Sequence, residues 1–144
     1  MSATNAERMD HAWFALSDAE SCRLCCCSLT RLGKHHVDEF GVLKKTAPEP
    51  AVPMSEADTT HNAEESEKRF ASETVGWLRK KALQQKIDHL VILSPPHMHG
   101  VLRMIPLGSL NGHIAEFKGE LMHLNAGQLA EQSIVRSLLL GDAD

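Results

Sequence analysis

The stretch from His89 to Gly100, HLVILSPPHMHG, constrains the fold more than any other part of this chain. An apolar, β-branched run stops at Pro95-Pro96 and restarts as a His-bearing amphipathic segment. The run is short enough for a buried strand, Leu90 to Leu93, and prolines at its exit suit a turn or the first position of a helix. Met98, Val101, Leu102 and Ile105 then fall at helical spacing, predicting a helix from about Pro96 to Ile105 that Pro106 stops. A strand feeding a helix through a tight loop is where α/β folds place ligands.

Three strand candidates precede it. His11 to Ser17 is compact and apolar, Asp18 to Ser21 can turn the chain, and Arg23 to Leu29 alternates, with Leu24 and Cys26 on one face and Cys25 and Cys27 on the other. After a turn at Gly33 comes His35 to Leu43, where Val37 and Val42 flank an irregularity at Phe40-Gly41. Short connections favour antiparallel pairing of these three. From Thr46 to about Glu65 the composition shifts to Pro48, Pro50, Pro53 and several acids, as in a loop or linker. A helix is expected next, with Asn62 and Glu65 in capping-box spacing and Phe70, Thr74, Leu78 and Ala82 on one face, widened by Trp77. Ile114 to Leu124 reads as the last strand. Asn125 and Gln128 then cap a final helix with Leu129, Ala130, Ile134 and Leu138 as its stripe, closed by Gly141. The order β-β-β, loop, α-β-α-β-α predicts a single domain over residues 1–144, an α/β fold with a mixed five-stranded sheet and helices on both faces, of ribonuclease-H-like arrangement.

With 144 residues, 42% hydrophobic and 24% charged, the chain can bury a substantial core. Its net charge of −4 excludes a broad basic footprint for nucleic acid. MSATNAERMD lacks the apolar segment of a leader and no run reaches membrane-span length, so a cytoplasmic protein is expected. The four cysteines, Cys22, Cys25, Cys26 and Cys27, crowd into one segment where internal disulfides are awkward. A C-x-x-C spacing invites zinc or redox chemistry, but no second pair follows, and small apolar strand side chains are the expectation. No metal or cofactor is expected.

Two groups of residues are candidates for binding. Ser94, His97, His99 and Arg103 surround the Pro-Pro loop, where His99 and Arg103 stand one helical turn apart and the group could hold a phosphate or carboxylate. Ser94 itself reads as an N-cap, since it lacks the elbow motif of serine hydrolases. Arg69, Arg79, Lys80, Lys81 and Lys86 could form a stripe facing RNA or a partner on the long helix. Asp18 and Glu39 do not make the carboxylate cluster that two-metal nucleases need, because the strand at Leu90 exits without an acid. Nuclease catalysis is therefore not expected.

The segment RFASETVGWLRKKALQQKIDHLVILSPPHMHGVLR, followed by EFKGELMHLNAGQLAEQ, resembles the bacterial host-attachment protein family. The likeness lies in the apolar strand ending in Pro95-Pro96, in Leu102-Arg103 and in His123-Leu124, with a looser match at Asp18 and Arg23. That family is similar in turn to the middle domain of archaeal and eukaryotic class-one peptide release factors. In those a Gly-Gly-Gln loop precedes a helix with an Arg-Phe pair, matched here in position by Arg69-Phe70. The loop from Thr46 contains no glycine, so the hydrolase activity does not carry over. The resemblance implies the scaffold of a non-catalytic binding module with the ribosome, tRNA or a protein as partner; no membrane partner is expected from the sequence, and a second copy of the chain is a further candidate. The alternative is a small-anion-binding enzyme or ligand sensor at the Pro-Pro loop.

Overall fold

Alternation along the first strands decides which side chains meet which helices. The computed structural model describes residues 11–30, 32–45, 56–117 and 121–139, with the backbone alone over 56–64. β1 (His11–Ser17) and β2 (Ser21–Leu29) pair antiparallel, Trp13 opposite Cys26 and Ser17 opposite Cys22. β3 (His35–Lys44) pairs antiparallel with β2, and the register slips at Phe40, the expected irregularity. Trp13 packs on Phe40 at a centroid distance of 4.8 Å. A Cβ on the neighbouring Gly41 would stand 3.1 Å from the Trp77 ring, so a residue without a side chain lets helix and sheet close here.

α1 (Glu56–Gln85) then crosses the sheet and returns the chain to β4 (Leu90–Ser94), parallel to β1 with Leu16 beside Leu93. α2 (Pro96–Leu102) leads to β5 (Gly112–Glu116), parallel to β4, and α3 (Ala126–Ala130) and α4 (Ser133–Leu138) follow. The strand order is β3-β2-β1-β4-β5, a mixed five-stranded sheet in an α/β fold, as expected. One face buries Ala15, Leu24, Leu90 and Ile92 against Phe70, Leu78 and Met98 of α1 and α2. The other buries Phe14, Leu16, Val91 and Leu93 against Leu129 and Val135 of α3 and α4. Every residue of β4 is buried, which explains why it reads as continuous hydrophobicity rather than alternation.

Element ends differ from expectation for identifiable reasons. α1 begins at Glu56, so Asn62 lies inside the helix and is not its cap; Ala and Glu favour helix here and no Pro or Gly intervenes before Gly76. The remainder of the expected loop, residues 46–55, lies outside the described residues. α2 stops at Leu102 rather than Ile105, because the chain tightens there into i→i−3 bonds, the Met104 and Ile105 N–H groups donating to the Val101 and Leu102 carbonyls. β5 ends at Glu116, not Leu124: its only neighbour among the described residues is β4, whose last ladder acceptor, the Ser94 carbonyl, takes the Phe117 N–H at 2.9 Å. Leu121–Leu124 forms a turn instead. The expected final helix is two, α3 and α4, broken at Gln132, whose backbone is extended. The Asn125/Gln128 capping box is present with both bonds. Gly141 lies outside the described residues.

Candidate functional site

The carboxyl ends of β1 and β4 gather polar groups on both sheet faces. On the α1 face Ser17 follows Leu16 and Ser94 follows Leu93, so the two serines continue the β1–β4 register side by side. Both hydroxyls and that of Thr74 on α1 are fully buried and find no hydrogen-bond partner among the described residues. Cys22 faces Ser17 across the β1–β2 pair. Burial pushes its thiol far up, and the nearby Ser17 hydroxyl works against that rise. Above this trio, Glu67 of α1 and His97 of α2 hydrogen-bond at 2.9 Å, tying the two helices together.

On the opposite face lies an open cleft of about 530 Å³, lined by Asp18, Glu20, Arg23, Lys44 and His123 among others. Asp18 Oδ1 accepts the N–H groups of Glu20 and Ser21, each at 2.8 Å, and so shapes the β1–β2 turn. Arg23 pairs with Glu39 through Nε and donates from Nη1 to the carbonyls of Met122 and Leu124 at 3.0 and 2.8 Å. His123, a hundred residues after Arg23, thus shares one cleft with Arg23 and the nearby Asp18. Nothing in the spacing announces this meeting, nor the partnership of His97 with Glu67, because both depend on strand order.

The remaining candidates are more scattered. His97 is exposed, and His99 is half-buried with its Nδ1 buried and unpartnered among the described residues. Arg103 is exposed at the C-cap of α2, where its backbone N–H reaches the His99 carbonyl. Ser94 is buried and makes no side-chain cap bond to α2; the extended residue before the helix is Pro95. On α1, Arg69 and Lys80 are exposed eleven residues apart, which places them on one helix face. Arg79 and Lys81 turn away from that face. Arg79 is half-buried against Gly108, and Lys81 stacks 5.5 Å over the Trp77 ring. Lys86 ends the helix with a left-handed φ of 55°. The five residues therefore do not form one stripe.

Desolvation also raises the other thiols, Cys25 to about 12 and Cys26 and Cys27 to about 11. Thiols held protonated are poor nucleophiles and poor metal ligands at neutral pH. Among the described residues no group of three or more His, Cys, Asp or Glu side chains is placed to hold a metal ion, and no helix is long and apolar enough to cross a membrane.

No curated protein matches the chain. A solved structure of the Aquifex aeolicus PPX-GPPA enzyme is similar at 8% identity and a TM-score of 0.46, over 75% of this chain and 36% of that one. The chain thus spans about a third of that enzyme's length, and so slight a likeness carries no argument. The pattern of the family described as protein required for attachment to host cells matches residues 35–132. That span is well over half of the chain and runs from the start of β3 through both later strands to α3 and the break after it. It includes the Pro-Pro loop and the His123 turn that lines the cleft. The chain belongs to the family of proteins required for attachment to host cells.

Proposed function

We propose that the chain is a non-catalytic binding module, on a ribonuclease-H-like scaffold of release-factor-like descent, that serves host attachment by engaging a protein partner. The strand order β3-β2-β1-β4-β5 supports that scaffold. Clustered free cysteines in one strand suit a reducing, cytoplasmic setting, so the contribution to attachment is indirect. The observation that carries the binding reading is the outer face of α1. Arg69 and Lys80 stand exposed there, and Leu83 is 80% exposed. Glu73, also exposed, breaks the positive run, and a face of mixed charge with an exposed leucine at its C-terminal end fits a protein better than a phosphate backbone.

Several of the groups that could do chemistry are engaged in holding the structure. Arg23 and Asp18 bond to backbone, the thiols are protonated, and His97 bonds an acid rather than offering itself to an anion. A small-anion site at Ser94, His97, His99 and Arg103 has less support for that reason.

A photo-crosslinking residue at position 80, compared with one at the exposed Lys34, tests the proposal in the source cells. The expected result is a discrete protein adduct at position 80 that is absent at position 34 and lost with Arg69→Glu. Adducts to tRNA or ribosomal RNA would replace the protein partner by the translation-linked reading. Equal labelling at both positions, or none, would overturn the binding module.

A further inference from the structure

His89 and His113 come together at the opposite end of the sheet from the polar cluster. Nε2 of His89 lies 3.2 Å from Nδ1 of His113, with ring centroids 5.2 Å apart and the planes tilted by 40°. Both residues are exposed. His113 pairs with Val91 in the β4–β5 register, and His89 precedes Val91 by two residues, so both side chains leave the same sheet face. The backbones carrying them are fixed. The Leu90 N–H donates to the Asn111 carbonyl at 3.0 Å and Asn111 Nδ2 donates to the Asp88 carbonyl at 2.7 Å. Gly112 permits the close approach, since a Cβ there would stand 2.0 Å from the Leu90 carbonyl oxygen.

Two imidazole nitrogens bound to one tetrahedral zinc ion at about 2.0–2.1 Å stand about 3.3 Å apart. The observed separation is within about 0.2 Å of that value. In the hydrogen-bonded pair one ring holds its proton on the shared nitrogen. Moving that proton to the same ring's outer nitrogen leaves two neutral imidazoles, each with a free lone pair on the nitrogen nearest its neighbour, and no net proton is released.

We propose that His89 and His113 form a two-imidazole chelate for a first-row divalent ion of the zinc type, with water in the other coordination positions. Nitrogen donors select such ions over magnesium and calcium, and with two protein ligands the ion exchanges readily.

Calorimetric titration of the intact chain with zinc alone, in buffer free of competing ligands, tests this. The expected result is about one ion per chain, binding at least about tenfold weaker in both His89→Gln and His113→Gln, and unchanged in Cys26→Ala and His97→Gln. Each His variant should unfold at the wild-type temperature when a chelator is present, which separates lost binding from lost folding. Zinc-induced shifts of the His89 and His113 ring resonances give an independent readout. Undiminished binding in the two His variants, binding abolished by Cys26→Ala, or no uptake of zinc by the wild-type chain would overturn the proposal.

Discussion

Arg23 and Leu124, 101 residues apart, are joined by a hydrogen bond of 2.8 Å from the guanidinium Nη1 to the backbone carbonyl. The same nitrogen reaches the Met122 carbonyl, and Nε meets Glu39 on β3. One side chain therefore fastens the turn before α3 to β2 and the edge strand β3. The Arg23 side chain is only 12% exposed, so these charge-assisted bonds are largely shielded from solvent. Arg23→Met should cost about 3 kcal/mol in urea unfolding. Arg23→Lys should lie between that variant and wild type, because an ammonium cannot reproduce the fork. Equal stability of all three would show that the contact contributes nothing.

Glycines at two positions should respond in opposite directions. Gly112→Ala drives a methyl into the Leu90 carbonyl and must displace β5 from β4, at a cost of about 2–3 kcal/mol or more. Gly76 sits inside α1, and a Cβ there meets nothing within 4 Å. Gly76→Ala should raise stability by about 0.5–1 kcal/mol through helix propensity. Thermal unfolding of the pair checks both signs.

The strands were legible because their side chains obey local rules. The compact apolar HAWFALS, the alternation in SCRLCCCSL and the short unbroken LVILS each mark a strand. Ends were harder to read, because they depend on neighbours. β5 stops where β4 stops, and α1 begins before its apolar face does, so neither boundary has a local mark. At the candidate site Ser94 and His97 were visible as unusual residues beside a Pro-Pro pair. Their surroundings were not, since Glu67 lies thirty residues before His97 and only the crossover of α1 brings them together. The meeting of Asp18, Arg23 and His123 is equally a product of strand order.

The cysteines should separate in reactivity and weaken the fold at high pH. Cys26 is half-buried, whereas Cys22, Cys25 and Cys27 are fully buried, so alkylation of the native chain at neutral pH should label Cys26 alone. With its thiol raised to about 11 by burial, that labelling should be on the order of a hundredfold slower than for a free cysteine. In the unfolded chain the thiols lose their protons near pH 9, while the folded chain holds them to about 11 or 12. Above pH 9 the unfolded state binds fewer protons, so stability is full below that point and falls as pH rises towards 11. Urea midpoints from pH 7 to 11 should trace this decline, and it should be shallower in Cys25→Ala if each variant is compared with its own value at pH 7. A flat profile would mean that the thiols ionise as easily folded as unfolded.

The buried hydroxyls at the carboxyl ends of β1 and β4 give a prediction whose sign is diagnostic. Ser94 Oγ, like Ser17 Oγ and Thr74 Oγ1, is buried without a hydrogen-bond partner among the described residues. A hydroxyl held dry in an apolar core costs about 1–3 kcal/mol. Ser94→Ala removes that hydroxyl and leaves a gap of one atom, so stability should rise by about 1 kcal/mol. Thr74→Val keeps the side-chain outline and should shift in the same direction. Ser17→Ala should shift in the same direction, since its hydroxyl is buried in the same way. A loss of stability in all three would mean that these hydroxyls bond to solvent kept inside the core. In that case the Ser17/Ser94 double variant should lose less than the sum of the single losses, since both residues would serve one shared network.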